Sequence, residues 1–304
     1  MTNKTNTIII GILVFIALDL FIWRGILSIV PDHVAHDYFL DVGQGDSELV
    51  IFPGGTKVMT DAGPDDTVLA SLARALPSGD DYIDLAIISH PQLDHFNGYN
   101  FILDHYRVGA FIYNGRDDDP GVAAWPALKA KIAAKHIPFI TLGGGDKILI
   151  GAGGSAGASS TRNEVDFLSP NLAFDQSAEL NDTGFVELIK TPGLRTLLTA
   201  DIGFNVEDWL VAQNKIGATD LHADVLKIPH HGSKYSSGDA FLRAVSPRVA
   251  VIEVGAKNKY GHPGSSTLER LASDTNAIVA RTDKNGTVEV YRDGSGKLRV
   301  SKEK

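Results

Sequence analysis

Cysteine is absent from the 304-residue sequence. Its absence excludes disulfide bonds, thiolate metal sites and a cysteine nucleophile. A metal ion would have to be held by histidine and carboxylate side chains, which suit zinc, manganese or iron. Because such a chain is compatible with either side of a membrane, the missing cysteine does not fix the compartment.

Positive charge is also scarce. Lys and Arg number 28 against 37 Asp and Glu, which gives a formal net charge of −9, and no run of basic residues offsets it. The sequence therefore argues against a broad electrostatic contact with nucleic acid. A narrow phosphate-binding site is still compatible with this balance, because a bound metal ion adds positive charge that residue counts miss.

Long apolar runs are missing except near the N-terminus. Lys4 precedes an apolar run over residues 7–18, and Asp19 and Arg24 interrupt the apolar stretch that continues to Val30. The whole segment is about as long as the ~20 helical residues that cross a ~30 Å bilayer. It is therefore a candidate membrane span, and a cleaved signal peptide is the alternative.

The N-terminal segment lacks a small-x-small cleavage signal before Pro31, which favours an uncleaved anchor. We predict that residues 1–32 form a membrane anchor and that residues 33–304 form one large domain. Lys4 and the terminal amine favour a cytoplasmic N-terminus, so the large domain is expected outside the cytoplasm.

Beyond Tyr38, short apolar runs alternate with amphipathic stretches, which predicts an α/β fold of two packed sheets covered by helices. Residues 151–160, with the sequence GAGGSAGASS, separate two strand-rich halves. This segment is either a flexible linker between domains or a loop inside one domain. We favour the loop, because candidate site residues occur on both sides of it.

The strongest chemical signal is the motif IISHPQLDHFNG, residues 87–98. An apolar strand is followed by His90, Asp94 and His95 within six residues. These are ligand types that divalent cations prefer, and a tight loop can turn them towards one point. The alternative is a surface loop in which Asp94 caps a helix over Phe96–His105.

A second motif, LLTADIG, residues 197–203, places Asp201 just after another apolar strand. A carboxylate at such a strand end can complete a metal site or bridge two ions. Taken alone, the motif is equally typical of a turn or of the start of a helix.

Paired histidines form the third motif, ADVLKIPHHGSKYSS, residues 223–237. One of His230 and His231 could bind metal while its neighbour transfers a proton. A fourth motif, NKYGHPGSS, adds His262, which alone would be typical of a turn. Because all four motifs follow apolar strands, and sites in layered α/β proteins assemble at the carboxyl ends of strands, a shared metal site is the better interpretation.

The order of these motifs resembles the metallo-β-lactamase superfamily, in particular the C-terminal hydrolase domain of the ComEC/Rec2 DNA-uptake proteins. FLDVGQGDS and MTDAG precede HPQLDHFNG, LLTADI, LKIPHHGSKYSS and NKYGHP in the family's order, between Tyr38 and Tyr291. The resemblance implies an αββα four-layer sandwich, the metallo-β-lactamase fold, behind an N-terminal transmembrane helix. It places the metal site at one edge of that sandwich.

The resemblance also implies roles for individual residues. The implied metal ligands are His90, Asp94, His95, Asp201 and His230. The implied catalytic residues are Asp94, His231 and His262, although either of the paired histidines could be the ligand. Supporting roles fall to Asp46, Asp61 and Gln92, and phosphate contacts to Lys234 and Ser236, whose alternative role is helix entry.

The chain departs from the family's pattern at Gln92, where the family's signature loop, residues 90–95 in this chain, normally has His or Asp. It also has no obvious histidine ligand between His95 and Asp201. Glutamine is a weaker, neutral ligand, so we expect one or two divalent ions, zinc or manganese.

The function implied is that of a metal-dependent phosphodiesterase or nuclease outside the cytoplasm, with DNA as one phosphodiester substrate. The metal would lower the pKa of a bound water and make hydroxide available. Hydrolysis of a small ester, lactone or amide is an alternative, because one fold supports many chemistries. A non-catalytic, membrane-tethered binding domain is a third reading, and Gln92 is the residue that favours it.

Overall fold

The computed structural model of this protein describes residues 10–21, 34–117, 122–151, 163–171, 174, 177 and 179–304. Helix α1 covers residues 10–21, and its side chains are exposed. No helix among the described residues has the length and apolarity to cross a membrane, so the predicted transmembrane helix is not supported there. The rest of the predicted anchor lies outside the described residues.

Two β-sheets form the centre of the molecule. The first has eight strands in the order β15-β14-β1-β2-β3-β4-β5-β6. Its strands are β1 His36–Phe39, β2 Glu48–Ile51, β3 Lys57–Thr60, β4 Tyr82–Ile88, β5 Arg107–Tyr113, β6 Phe139–Thr141, β14 Val288–Arg292 and β15 Leu298–Lys302.

The second sheet has seven strands in the order β13-β12-β11-β10-β9-β8-β7. Its strands are β7 Lys147–Ile150, β8 Asn163–Ser169, β9 Val186–Thr191, β10 Leu194–Leu198, β11 Val225–Lys227, β12 Val249–Ile252 and β13 Ile278–Arg281. Strands β7 and β8 pair antiparallel on either side of the glycine-rich segment, most of which lies outside the described residues.

Helices cover the outer faces of both sheets. They are α2 Thr67–Ala75, α3 Leu93–Phe96, α4 Tyr99–His105, α5 Ala124–Ala134, α6 Phe204–Lys215, α7 Asp239–Val245, α8 Ser265–Asp274 and α9 Thr282–Asn285. Two short 3₁₀ segments, Leu180–Thr183 and Pro229–Gly232, lie in the loops.

Three apolar layers hold these elements together. The inner layer lies between the sheets and joins side chains such as Val50 and Ile87 of the first sheet to Val225 and Val251 of the second. The two outer layers pack α2, α4 and α5 on the first sheet, and α6, α7 and α8 on the second. This helix–sheet–sheet–helix order confirms the predicted αββα sandwich.

Strand burial follows from these layers. Strand β12, with the sequence VAVI, is buried at every position, because helices cover one of its faces and the other sheet covers the opposite face. Continuous apolar runs are the pattern expected of parallel strands covered on both faces. Strand β1 instead alternates half-buried and buried residues, which is typical of a strand with one face in the core.

The single helix predicted over Phe96–His105 is divided in the structure into α3 and α4. Gly98 lies at the break, and its amide donates to the Gly63 carbonyl at 2.9 Å. A Cβ at Gly98 would lie 1.9 Å from the Ala62 carbonyl oxygen, so only glycine allows this approach. The approach brings α3 against the loop after β3.

Candidate metal centre

The predicted metal residues follow strands whose carboxyl ends meet at one edge of the sandwich. In the first sheet β3, β4 and β5 run parallel, and in the second β10, β11, β12 and β13 do so. Asp61 follows β3 and His90 follows β4, while Asp201 follows β10 and His231 follows β11. Parallel pairing is therefore what brings residues from distant parts of the sequence together.

His95, on α3, is fixed from one side. Its Nδ1 lies 2.7 Å from Asp61 Oδ2, and Asp61 in turn accepts hydrogen bonds from the Ser89 amide and hydroxyl. Its Nε2 faces Asp201 Oδ2 at 3.5 Å. Although burial lowers the pKa of His95, the charges of Asp201 and Asp61 outweigh it and raise that pKa well above its usual value.

His231 is fixed in a similar way from the second sheet. Its Nδ1 lies 2.9 Å from the Glu253 carbonyl oxygen and 3.1 Å from Asp46 Oδ1. Its Nε2 lies 3.4 Å from Asp201 Oδ2 and 3.5 Å from Asp94 Oδ2. Burial lowers the pKa of His231, but Asp201 and Asp46 outweigh it and raise the pKa well above its usual value.

His230 has different surroundings. Both paired histidines have positive φ angles, 49° for His230 and 52° for His231, in the left-handed region that non-glycine residues seldom adopt. The turn leaves the His230 side chain about a third exposed, with Nε2 3.7 Å from Asp201 Oδ2. The prediction that made His230 the ligand stays untested, but these positions favour His231.

His90 is fully buried, and its Nδ1 lies 2.9 Å from the Ser89 hydroxyl. Burial, aided by the neighbouring His95, lowers the pKa of His90 to about 3. The imidazole is therefore neutral at pH 7, which leaves one ring nitrogen with a free lone pair.

Several buried polar atoms at this edge have no hydrogen-bond partner among the described residues. They are Nε2 of His90, Nε2 of His95, Nε2 of His231 and Oδ1 of Asp201. Buried polar groups are normally paired, so such a concentration calls for an explanation. Three imidazole nitrogens and a carboxylate oxygen of this kind are the donor set that a divalent cation takes, so the residues present fit a metal ion.

The described residues contain four groups of acidic and histidine ligand atoms that lie within 4.8 Å of one another. The groups are His90-His95-Asp201, Asp94-His95-His231, Asp46-Asp201-His231 and Asp46-Asp61-His95. Asp94 stands in the first turn of α3, whose N-cap is Gln92, so Asp94 does not occupy the capping position that was the alternative.

The carboxylates at this edge are held ionised by the imidazoles. Burial opposes ionisation of Asp201, but His231 and His95 hold its pKa well below the usual range. Burial likewise opposes ionisation of Asp94, but the neighbouring His231 and His95 lower its pKa to about 2. Both carboxylates are therefore available as anionic donors at neutral pH.

Lys227, the last residue of β11, lies in the candidate site, although the motifs did not single it out. Its ammonium is fully buried, forms an ion pair with Asp46, donates to the Ala200 carbonyl at 2.7 Å, and lies 3.7 Å from Asp201 Oδ1. Burial lowers the pKa of Lys227, but Asp46 and Asp201 outweigh it and raise that pKa. The sequence signal was a lysine inside an apolar strand, since such a charge is seldom buried without a partner.

Asn181, in the 3₁₀ segment Leu180–Thr183, is a second residue that the sequence did not reveal. It forms a side-chain hydrogen bond with Gln92, and its Nδ2 lies 3.5 Å from His230 Nδ1. No motif surrounds Asn181, so only the folded chain places it beside the signature loop.

The remaining predicted residues lie around the cluster. The His262 ring centroid is 5.6 Å from that of His230 and 6.4 Å from that of His231. Lys234 is exposed, and its Nζ lies 4.8 Å from the Tyr235 ring centroid. Ser236 is fully buried and its Oγ donates to the Pro229 carbonyl at 2.8 Å, which favours support of the histidine turn over the predicted substrate contact.

Comparison with protein families places the candidate site inside a known family. The family model described as Metallo-beta-lactamase superfamily matches residues 40–255. That range begins after β1 and contains the signature loop, Asp201 and both paired histidines.

Curated relatives include ComE operon protein 3 of Bacillus subtilis, 27% identical over a 280-residue alignment that covers 83% of this chain and 32% of that protein. Competence protein ComA of Neisseria gonorrhoeae is 27% identical over 264 residues, which are 86% of this chain and 33% of that protein. Recombination protein 2 of Haemophilus influenzae is 42% identical over 67 residues, which are 22% of this chain and 8% of that protein. The chain thus spans about a third of the length of the first two relatives.

Solved structures share the fold. The metallo-beta-lactamase fold protein YhfI from Bacillus subtilis aligns with a TM-score of 0.52 and 13% identity, covering 83% of this chain and 98% of YhfI. A variant of the CmlA β-hydroxylase aligns with a TM-score of 0.53 and 14% identity, covering 83% of this chain and 53% of that protein. At such low identity the likeness concerns the fold alone.

Proposed function

Because the chain belongs to the metallo-β-lactamase superfamily, we propose that it is a metal-dependent hydrolase that cleaves phosphodiesters, DNA among them. The observation that supports this most is the group of three buried imidazole Nε2 atoms, from His90, His95 and His231, for which the described part of the chain offers no hydrogen-bond partner. Such a donor set is costly to bury unless a cation occupies it.

The proposed ligands are Asp94, His95, Asp201 and His231, with His90 beside them. A divalent ion there, zinc or manganese, supplies Lewis acidity that lowers the pKa of water and stabilises negative charge on a phosphoryl oxygen. Asp61 and the Glu253 carbonyl hold the Nδ1 atoms of His95 and His231, so that each imidazole presents Nε2 to the site.

Proton transfer falls to histidines on the open side of the site. His230 is about a third exposed, with Nε2 3.7 Å from Asp201, and the His262 ring lies beside it. Either imidazole can take a proton from water and return it to the leaving oxygen of a phosphodiester. Lys234 is exposed near the same turn and can meet the phosphate charge.

The choice of phosphodiester over other substrates is supported by the relatives. The curated matches bear names tied to competence and recombination, and the chain resembles the ComEC/Rec2 DNA-uptake proteins. Bound cation would supply the positive charge that the acidic chain lacks for such a substrate. Esters, lactones and amides are the alternative substrates.

We also propose that residues 1–32 hold a hydrolase domain, residues 33–304, at a membrane and outside the cytoplasm. The apolar run over residues 7–18 and the early Lys4 support this arrangement.

The test of the hydrolase is cleavage of bis-p-nitrophenyl phosphate by the full chain, stripped with EDTA and then supplied with Mn²⁺ or Zn²⁺. We expect metal-dependent cleavage that Asp201→Asn lowers by about 100-fold or more, since loss of even an outer ligand partner costs 10–100-fold. Asp208→Asn, the same change on the exposed surface of α6, is the matched control and should cleave normally.

Retained cleavage in a folded Asp201→Asn variant would contradict the proposal. Absence of both bound ion and cleavage in the folded parent chain would instead favour the non-catalytic binding domain. A panel of chromogenic esters and lactones measured in parallel separates the two enzymatic readings.

A further inference from the structure

The candidate metal centre offers two positions for an ion, which we call the His90 half and the Asp94 half after the ligand groups that contain these residues. The two halves are unequal. The groups His90-His95-Asp201 and Asp94-His95-His231 both draw on His95. The Nδ1 of His95 is already engaged by Asp61, so only Nε2 is left, and one imidazole nitrogen binds one ion. An ion in the Asp94 half therefore removes His95 from the His90 half.

The His90 half then lacks donors for a metal ion. Beside His90 stand Gln92 and Asn181, whose side-chain amides are hydrogen-bonded to each other. A neutral amide is a weaker donor than the imidazole or carboxylate that zinc and manganese prefer. His230 does not fill the gap, since it belongs to none of the close ligand groups among the described residues.

Asp201 also faces the two halves unequally. Its Oδ2 is the oxygen that meets the imidazoles of His95 and His231, at 3.5 and 3.4 Å. Its Oδ1 lies 3.7 Å from the buried ammonium of Lys227. This fixed positive charge beside Asp201 also disfavours a second cation there.

We infer that this protein binds a single divalent ion, and that the Gln92–Asn181 amide pair leaves the second position without the donor it needs. The ligands of the single ion are Asp94, His95, Asp201 and His231. This inference rests on the proposed function, because it concerns the same metal site.

The test is the metal stoichiometry of the untagged full chain, measured by calorimetric titration with Mn²⁺ and by elemental analysis after dialysis. The parent chain should bind one ion. Gln92→His adds an imidazole to the His90 half and should bind two, with magnetic coupling between the Mn²⁺ ions in electron paramagnetic resonance spectra. Gln213→His, the same change on α6, should bind one.

Two ions in the parent chain would overturn the inference, and so would one ion in a folded Gln92→His variant. If Gln92→His does not fold, Gln92→Asp gives the same comparison with a carboxylate. The proposed function fails differently: a chain that binds one ion tightly yet cleaves no phosphodiester contradicts the phosphodiesterase and leaves the single-ion count supported.

Discussion

His230 and His231 are adjacent in the chain but differ in burial and in the atoms that surround them. His231 is buried, with one ring nitrogen held by the Glu253 carbonyl and the other turned to Asp94 and Asp201. His230 is about a third exposed and stands beside His262. A fixed, buried imidazole suits a ligand, and an accessible one suits proton exchange.

The two histidines should therefore respond differently to the same substitution. His231→Gln should weaken Mn²⁺ binding by about 100-fold or more, because it removes a ligand rather than an outer partner. His230→Gln should leave Mn²⁺ affinity within about threefold and lower kcat for bis-p-nitrophenyl phosphate by about 100-fold, the lower end of general acid–base effects. Calorimetry and steady-state kinetics on both variants make the comparison, and the reverse pattern would restore His230 as the ligand.

At the scale of elements, the loop with the paired histidines is held by two helices of the second sheet. Glu207 on α6 accepts hydrogen bonds from the amides of Ser237 and Gly238, at 2.5 and 2.7 Å. Arg270 on α8 donates to the carbonyls of Ser236 and Ser237, both at 2.7 Å. Because these side chains satisfy the loop's backbone groups, the strained histidine turn keeps one conformation.

The two sheets also make a polar contact. Asp37 on β1 is buried between them and accepts a hydrogen bond from Thr196 on β10. Burial raises the pKa of Asp37 to about 6, although the Thr196 hydrogen bond and His36 lower it. The ionised form therefore destabilises the packed sheets at neutral pH.

Asp37→Asn should accordingly stabilise the protein at high pH and not at low pH. The folded-state pKa lies above the unfolded one, so Asp37 costs stability as pH rises from about 4 through about 6, and the amide avoids this cost. We expect a gain in unfolding free energy on the order of 1–3 kcal/mol at pH 8 that vanishes near pH 4. Urea unfolding of both chains at the two pH values measures it, with Asp208→Asn as an exposed control; an equal effect at both values would refute the assignment.

At the scale of the whole molecule, the site exists only because two sheets meet. Asp61, His90 and His95 come from the first sheet and its helix, while Asp201 and His231 come from the second. A packed apolar layer between the sheets sets the distance across that junction. Any ion held there is therefore expected to be lost whenever the two sheets separate.

Attachment of the whole chain to a membrane is a separate prediction. The full chain should remain with the membrane pellet after a carbonate wash, because the apolar run over residues 7–18 would be buried in lipid. A chain without residues 1–32 should appear in the supernatant and still cleave bis-p-nitrophenyl phosphate. Full-length chain in the supernatant would contradict the anchor.

The sequence by itself determined the sandwich and the edge on which the site lies. The two-sheet α/β fold could be predicted because short apolar runs between turns, such as those that form Lys57–Thr60 and Lys147–Ile150, report burial locally. The signature loop and the paired histidines could also be recognised in the sequence, because their residue types and spacing are local properties.

Only the tertiary structure decided which of those residues are buried and which atoms they contact. It turned His231 inwards and His230 outwards, placed Lys227 against Asp46, and brought Asn181 to Gln92 across about 90 positions of sequence. Contacts of this kind depend on strand pairing, on sheet packing and on the backbone angles of one turn. None of these leaves a periodic or compositional trace in the chain, so the sequence could name the site but not assign its ligands.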